Sequence, residues 1–311
     1  MTWTRTAEPY CGSVVRVLVA APHPVVSVVP TSEVRTVAPV NEVAVDGGRA
    51  ATLVGETHGW EYLLVWSPRG VVVRASLSCD TQESNVVLAG NRFAHLCYQD
   101  KNYVVTGTIR PLRGKVALRA PGSAQVALAG EGALVAGSVD GVVWRFDPRT
   151  KKRLRSYPSR AIVVGVDGGR LLVDRPESLD VLTRTGSLVD TLHRAHEGGA
   201  VMRGGRVATI EGKRLSVSAA DGKSLLVRQV APGAHLEDLD RGLVLYSVET
   251  QLHVLRLTDG RDVVLRLRDQ FGYAHVRLWR GSIFYAYNQR TGRLGHAGYL
   301  AAPAVRSLLR G

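Results

Sequence analysis

The chain is poor in cysteine, methionine and aromatic residues: three Cys, two Met and 6% Phe, Trp and Tyr among 311 residues. Cys11, Cys79 and Cys97 allow at most one intrachain disulfide. A Cys79–Cys97 bridge, across about one strand pair, competes there with buried free thiols. His and Cys fall in no zinc spacing, so no metal is expected. No apolar run reaches the roughly 20 residues that a membrane helix needs. Pro22 and Pro24 break the only N-terminal candidate for a signal core. The Gly-x-Ser-x-Gly elbow, the phosphate loop and the dinucleotide fingerprint are all missing. Asp140-Gly141 and Asp221-Gly222 lack the spaced carboxylates of a calcium loop.

Charge is the exception to this poverty, with a formal +13 at pH 7. The basic residues are overwhelmingly Arg and sit at strand ends and turns. The two clusters, residues 151–155 and 256–268, have no interleaved aromatics on which bases could stack, so they read as a solvated rim rather than a nucleic-acid groove.

What the chain does have is Val, Leu, Ala and Gly in short alternating runs. Residues 124–157 hold four apolar segments, 126–128, 134–138, 142–146 and 153–157, parted by Gly130-Glu131-Gly132, Asp140-Gly141 and Asp147-Pro148-Arg149-Thr150. Gly tolerates positive φ, Asp caps its own backbone and Pro fixes the first corner of a turn, so the unit reads as a four-stranded antiparallel meander. One such sheet cannot bury both faces alone and must stack on copies. The first turn recurs through Gly48, Gly90, Gly130, Gly169, Gly205, Gly242 and Gly281 at intervals of 36–42 residues. Third-to-fourth-strand turns recur in step, as at Trp66-Ser67-Pro68-Arg69-Gly70, Arg184-Thr185-Gly186, Ala220-Asp221-Gly222 and Thr258-Asp259-Gly260.

The N-terminus can be set on the last repeat. Residues 2–29 lie without gaps over 282–309, pairing Gly12 with Gly292, Ala21 with Ala301, Val25 with Val305 and Ser27 with Ser307. Residues 2–7, 14–19 and 25–29 then read as the second, third and fourth strands of a blade that lacks its first.

The segment Leu134-Val135-Ala136-Gly137-Ser138-Val139-Asp140-Gly141 resembles the second and third strands of WD-repeat and PQQ-type β-propeller blades. Two departures stand out: the chain has no Trp-Asp dipeptide, and Arg149-Thr150-Lys151-Lys152 replaces the Thr-Gly-Lys…Trp ending of PQQ-type repeats. The resemblance implies an all-β fold, a single β-propeller over residues 1–311. It would have eight blades, with an incomplete N-terminal one in residues 1–40 and seven complete repeats in 41–311. The alternative is seven blades with extra N-terminal strands capping an edge. The PQQ cofactor is not expected, since the adjacent cysteines of the quinoprotein enzymes are absent, and no other cofactor is expected either.

In a propeller, loops leaving the fourth strand and loops joining second to third strands share the face where ligands usually dock. On that rule the binding candidates are His58, Trp60, Tyr62, Tyr98, Asp100, Lys101, Tyr103, Glu177, His196, Glu249 and Asn288. Aromatic platforms with polar neighbours suit peptides or sugars. His193-Arg194-Ala195-His196-Glu197 matches neither zincin order and is followed by Gly198-Gly199, so it reads as a solvated loop. Paired acids, Asp80 with Glu83, Asp174 with Glu177 and Glu237 with Asp238, make no defined catalytic pair in sequence alone. The expectation is a monomeric, non-catalytic binding scaffold for a protein, peptide or glycan, with no catalytic residue assigned; the alternative is a propeller hydrolase or lyase acting on a polysaccharide or lactone. Few Lys and no signal suit the cytoplasm of a high-GC bacterium. A disulfide and a first blade begun midway suit export.

Overall fold

The structure, a computed structural model, describes residues 23–310 except 57–58, 80–85, 100–101, 107–114, 120–125, 148–149, 194–198, 269 and 291; along some strands only the backbone is described. Among the described residues there are six four-stranded sheets and one five-stranded sheet. They span residues 40–79, 86–119, 126–156, 162–193, 200–229, 234–266 and 270–300, and are numbered first to seventh below. Their first strands lie side by side in chain order, and Gln270–Trp279 of the seventh sheet returns to Val40–Asp46 of the first. The ring is therefore closed: a β-propeller with antiparallel blades.

Burial assigns inside and outside. Leu134–Val139, second in its sheet, is buried at every position but its first, whereas Lys151–Ser156, the fourth strand, has no buried residue. The apolar faces meet between neighbouring sheets, as where Ala129, Ala136 and Val143 pack on Val163, Leu171 and Val173. Each such Val or Leu contributes about 1.5–3 kcal/mol relative to exposure, which is how sheets that cannot stand alone hold one another.

All seven first-to-second hairpins form near the predicted glycines. Gly47-Gly48, Gly168-Gly169, Gly204-Gly205, Arg241-Gly242 and Arg280-Gly281 have positive φ at both corners, the type I′ geometry that matches strand twist. The third hairpin differs from expectation. Its strand runs on to Glu131 and it turns at Gly132-Ala133, with Gly130 paired to Val135. Gly130 is there for space: a Cβ would overlap the Val87 side chain of the neighbouring sheet.

The N-terminal expectation needs correcting. Residues 25–29 do not make the fourth strand of an eighth blade: Val25–Ser27 runs parallel to Asp262–Arg266 as the fifth strand of the sixth sheet. The seventh sheet takes only three strands from residues 270–300, and Ser32–Thr36 supplies its fourth, antiparallel to Gly295–Leu300. Residues 305–309, matched to a strand by the sequence overlay, instead fall in and beside the helix Ala302–Leu308, which has Pro near its N-terminus and buries Val305. The expected strands at 2–7 and 14–19 lie outside the described residues. No helix among the described residues is long and apolar enough to cross a membrane.

Candidate functional site

The last residue of each first strand faces one end of the ring. In chain order these are Asp46, Ala89, Glu131, Asp167, Arg203, Asp240 and Trp279. Each precedes a first-to-second turn, so the repeat places seven equivalent side chains around one channel mouth. Four are acids, and all four accept main-chain N–H groups from the turns of other sheets. Asp46 Oδ2 accepts from Gly90 at 2.5 Å and Gly132 at 2.7 Å, and Glu131 Oε2 from Gly168 at 2.7 Å. Asp167 Oδ2 accepts from Gly205 at 2.9 Å and Asp240 Oδ2 from Gly281 at 3.1 Å. These bonds tie sheet to sheet. Amide donors are neutral, so these bonds bring no positive charge to the carboxylates.

Arg203 is the cation of this mouth. Its guanidinium donates to the Leu278 carbonyl and lies 3.4 Å from Asp238 Oδ2. Burial alone would push its pKa down, but Asp238, Asp240, Glu131 and Asp167 more than reverse that and raise it. Glu131 is displaced upward, chiefly by burial and further by Asp167 and Asp46, against the Gly168 N–H and Arg203. Trp279 completes the wall, with the Arg203 and Arg280 guanidinia each 5.8 Å from its ring centre. A cavity of about 750 Å³ opens here, lined by Asp46, Glu131, Asp167 and Trp279, with Arg145, Asp147 and Arg184 from third-to-fourth-strand turns. Arg145 and Asp147 pair at 3.4 Å, and Arg184 lines the same cavity, so the ring acids share this end of the molecule with Arg184, Arg203 and Arg280.

Deeper in the channel is a second cavity of about 180 Å³, to which all seven sheets contribute. Its polar lining is Glu42, Arg203, Glu237, Asp238 and Arg277. Glu42 and Glu237 sit at bulges in their first strands, where the register slips between Asn41 and Ala44 and between Leu236 and Asp238. Bulges re-aim side chains in this way. Burial pushes the Glu42 carboxyl up to about 7, opposed by the Val86 N–H it accepts at 2.7 Å and by Arg277. Glu237 Oε1 accepts from Ser247 at 2.8 Å, and Asp238 Oδ2 from the Leu278 N–H at 2.6 Å.

Those sequence-predicted binding residues whose side chains are described, Tyr62, Glu177, Glu249 and Asn288, lie toward the opposite end of the ring. His58, Asp100, Lys101 and His196 lie outside the described residues. Trp60, Tyr98, Tyr103, Cys79 and Cys97 are on described strands, but their side chains lie outside the description. Tyr62 is half-buried against the cluster of Val40, Leu64 and Trp66, with Arg74 over its ring. Glu177 and Glu249 are exposed at second-to-third-strand turns, the latter with φ 53°. Asn288 hydrogen-bonds both the N–H and the carbonyl of Val40, at 2.8 and 3.2 Å, clamping the seventh sheet to the first. The described geometry thus does not bring these residues together. The ring acids are not among the residues singled out from the sequence, although each directly precedes a turn glycine or Arg-Gly pair.

No family model matches the chain, and no curated protein does. Solved structures do. A virginiamycin B lyase from Staphylococcus aureus aligns with TM-score 0.62 at 9% identity, covering 87% of this chain and 99% of that one. The WD40 domain of Neurospora crassa Pan2 aligns with TM-score 0.59 at 8% identity over 85% and 89% of the two chains. The Myceliophteria thermophila Cps50 (Swd1) β-propeller domain gives 0.58 at 13% identity over 88% and 99%. At such identities the likeness concerns the fold.

Proposed function

We propose that the chain is a seven-bladed, non-catalytic scaffold that receives a basic segment of a protein or peptide at the mouth ringed by Asp46, Glu131, Asp167 and Asp240. The observation that carries this reading is the double use of those carboxylates. Each fixes a turn of another sheet through amides, which makes the mouth rigid, and because those amide donors are neutral no cation is used up in the stitching, which leaves the carboxylates available to Lys or Arg. On a chain of formal charge +13 such an acidic concavity is a local exception and supplies specificity. The WD40 relatives in fold support a protein partner by analogy only.

The test is selection from a peptide library of mixed charge on the wild type and on Glu131→Gln/Asp167→Asn, which keeps acceptor oxygens and removes two charges. Enrichment of Lys- and Arg-containing peptides that the double variant loses supports the reading. Neutral or acidic peptides, or glycans, bound equally by both proteins would overturn it, and loss only in Trp60→Ala/Tyr103→Ala would move the site to the opposite face.

One observation favours the rival hydrolase or lyase: Glu42, at about 7, is in the range of a general base. Size opposes it, since the cavity beside Glu42 is about 180 Å³, below the roughly 300–1,000 Å³ of ordinary ligand pockets. Turnover of a polysaccharide or lactone that Glu42→Gln abolishes would establish the rival.

A further inference from the structure

Each N-terminal strand runs beside a buried histidine that pairs with a carboxylate, and the two pairings differ in a way that points to a ligand. In the seventh sheet, His296 Nδ1 lies 2.6 Å from Glu33 Oε1 of the closing strand, and its ring stacks on Tyr287 at 5.0 Å. In the sixth sheet the same positions hold His253, Asp262 and Tyr246, with His253 stacked on Tyr246 at 4.5 Å. Here, however, a second imidazole enters: His23, two residues before the strand Val25–Ser27. His253 Nδ1 lies 3.3 Å from Asp262 Oδ1 and His23 Nδ1 lies 3.7 Å from Asp262 Oδ2.

We propose that His23, His253 and Asp262 form a site for a divalent transition metal, with zinc(II) the best fit, which pins the fifth strand to the sixth sheet. One donor atom from each of the three lies within 4.8 Å of the others, the one such group among the described residues. The two N···O separations exceed the roughly 2.7–2.9 Å of a charge-assisted hydrogen bond. They approach the distance of about 3.3–3.4 Å between neighbouring ligands of a tetrahedral zinc bound at about 2.0–2.1 Å. The single-histidine fastening in the seventh sheet is closed to 2.6 Å; the two-histidine one is spaced at 3.3 and 3.7 Å.

The surroundings suit coordination. Asp262 and His253 are almost wholly buried, at 1% and 5% side-chain exposure, while His23 at 24% leaves a path for the metal and a water as fourth ligand. Tyr246 donates its hydroxyl to Asp262 Oδ2, and Arg228 Nη2 lies 3.3 Å from the same oxygen. Both orient the carboxylate as outer partners of metal ligands do, with His253 beside Oδ1 and His23 beside Oδ2. The Arg228 charge weakens any cation, and the single carboxylate disfavours hard ions that need several. No zinc spacing is visible in the sequence because His23 is brought to the other two only when Val25–Ser27 pairs with Asp262–Arg266.

The test uses tag-free, chelator-stripped protein titrated with zinc chloride by calorimetry, with thermal melts in parallel. One zinc per chain is expected, with Tm raised by roughly 5 °C at zinc a hundredfold above Kd. His23→Ala, on a half-exposed residue outside the core, is expected to weaken binding at least about tenfold and abolish the Tm rise. His253→Gln should do the same, and His296→Gln should leave both intact. Absence of binding at millimolar zinc would overturn the proposal, as would binding that His23→Ala and His253→Gln leave unchanged, which would place the ion elsewhere, for example on the cysteines.

Discussion

Gly298 faces the ring of Tyr285 so closely that a Cβ would overlap it. The tyrosine is buried on the strand Ser282–Gln289 and has no room to swing aside. Gly298→Ala is therefore expected to lower the unfolding free energy by about 1–3 kcal/mol in urea titrations, and an unchanged midpoint would mean that the sheet yields at no cost. Glu42 makes a prediction in pH. Its folded pKa of about 7 stands above the ordinary 4.5, so the folded state holds the proton more tightly. Its contribution is complete below 4.5 and is lost as pH rises through 7. Relative to Glu42→Gln, the wild type should thus lose about 1–3 kcal/mol between acid and about pH 8, discounting for water in the channel. Parallel curves for the two proteins would contradict this. At this scale the sequence is legible wherever a requirement is local. Turn glycines such as Gly48 and Gly169 announce themselves because positive φ excludes most side chains. Gly130 and Gly298 do not, since what forbids a Cβ there is a side chain elsewhere in the chain. The roles of Asp46 and Glu131 were hidden for the same reason: their amide partners belong to other repeats.

Strands show the same division between local pattern and distant partner. Residues 142–146 were predicted as a strand and form Val142–Phe146, because alternation and flanking turns are carried within a few residues. The apolar stretch at 25–29 was also strand-like, yet which edge it covers depends on a ring not yet closed, and the overlay on the last repeat chose wrongly. The seventh sheet needs a fourth strand once residues 302–308 become a helix, and Ser32–Thr36 fills that place. Two truncations separate these roles. Deleting residues 1–29 removes the fifth strand and Val28 from the core and should lower Tm moderately. Deleting 1–37 also uncovers the edge Gly295–Leu300, and a larger fall in Tm is expected, with concentration-dependent association through the open edge seen in sedimentation. Equal melting of the two truncated chains would mean that Ser32–Thr36 does not close the ring.

The whole molecule is a ring whose first-strand ends are stitched by carboxylates. Asp46 joins three sheets through Gly90 and Gly132. Asp46→Ala should cost about 1–3 kcal/mol, and Asp46→Asn less, because the amide oxygen still accepts. The stitching can be observed without disturbing the protein, through hydrogen exchange at the amides of Gly90, Gly132, Gly168, Gly205 and Gly281, resolved residue by residue. All five are in surface turns where exchange is ordinarily fast. If the ring acids hold them, they are strongly protected in the wild type, and Asp46→Ala frees Gly90 and Gly132 while leaving Gly168, Gly205 and Gly281 slow. Exchange at all five as fast as in an unstructured peptide would contradict the stitched ring and, with it, the rigid binding mouth.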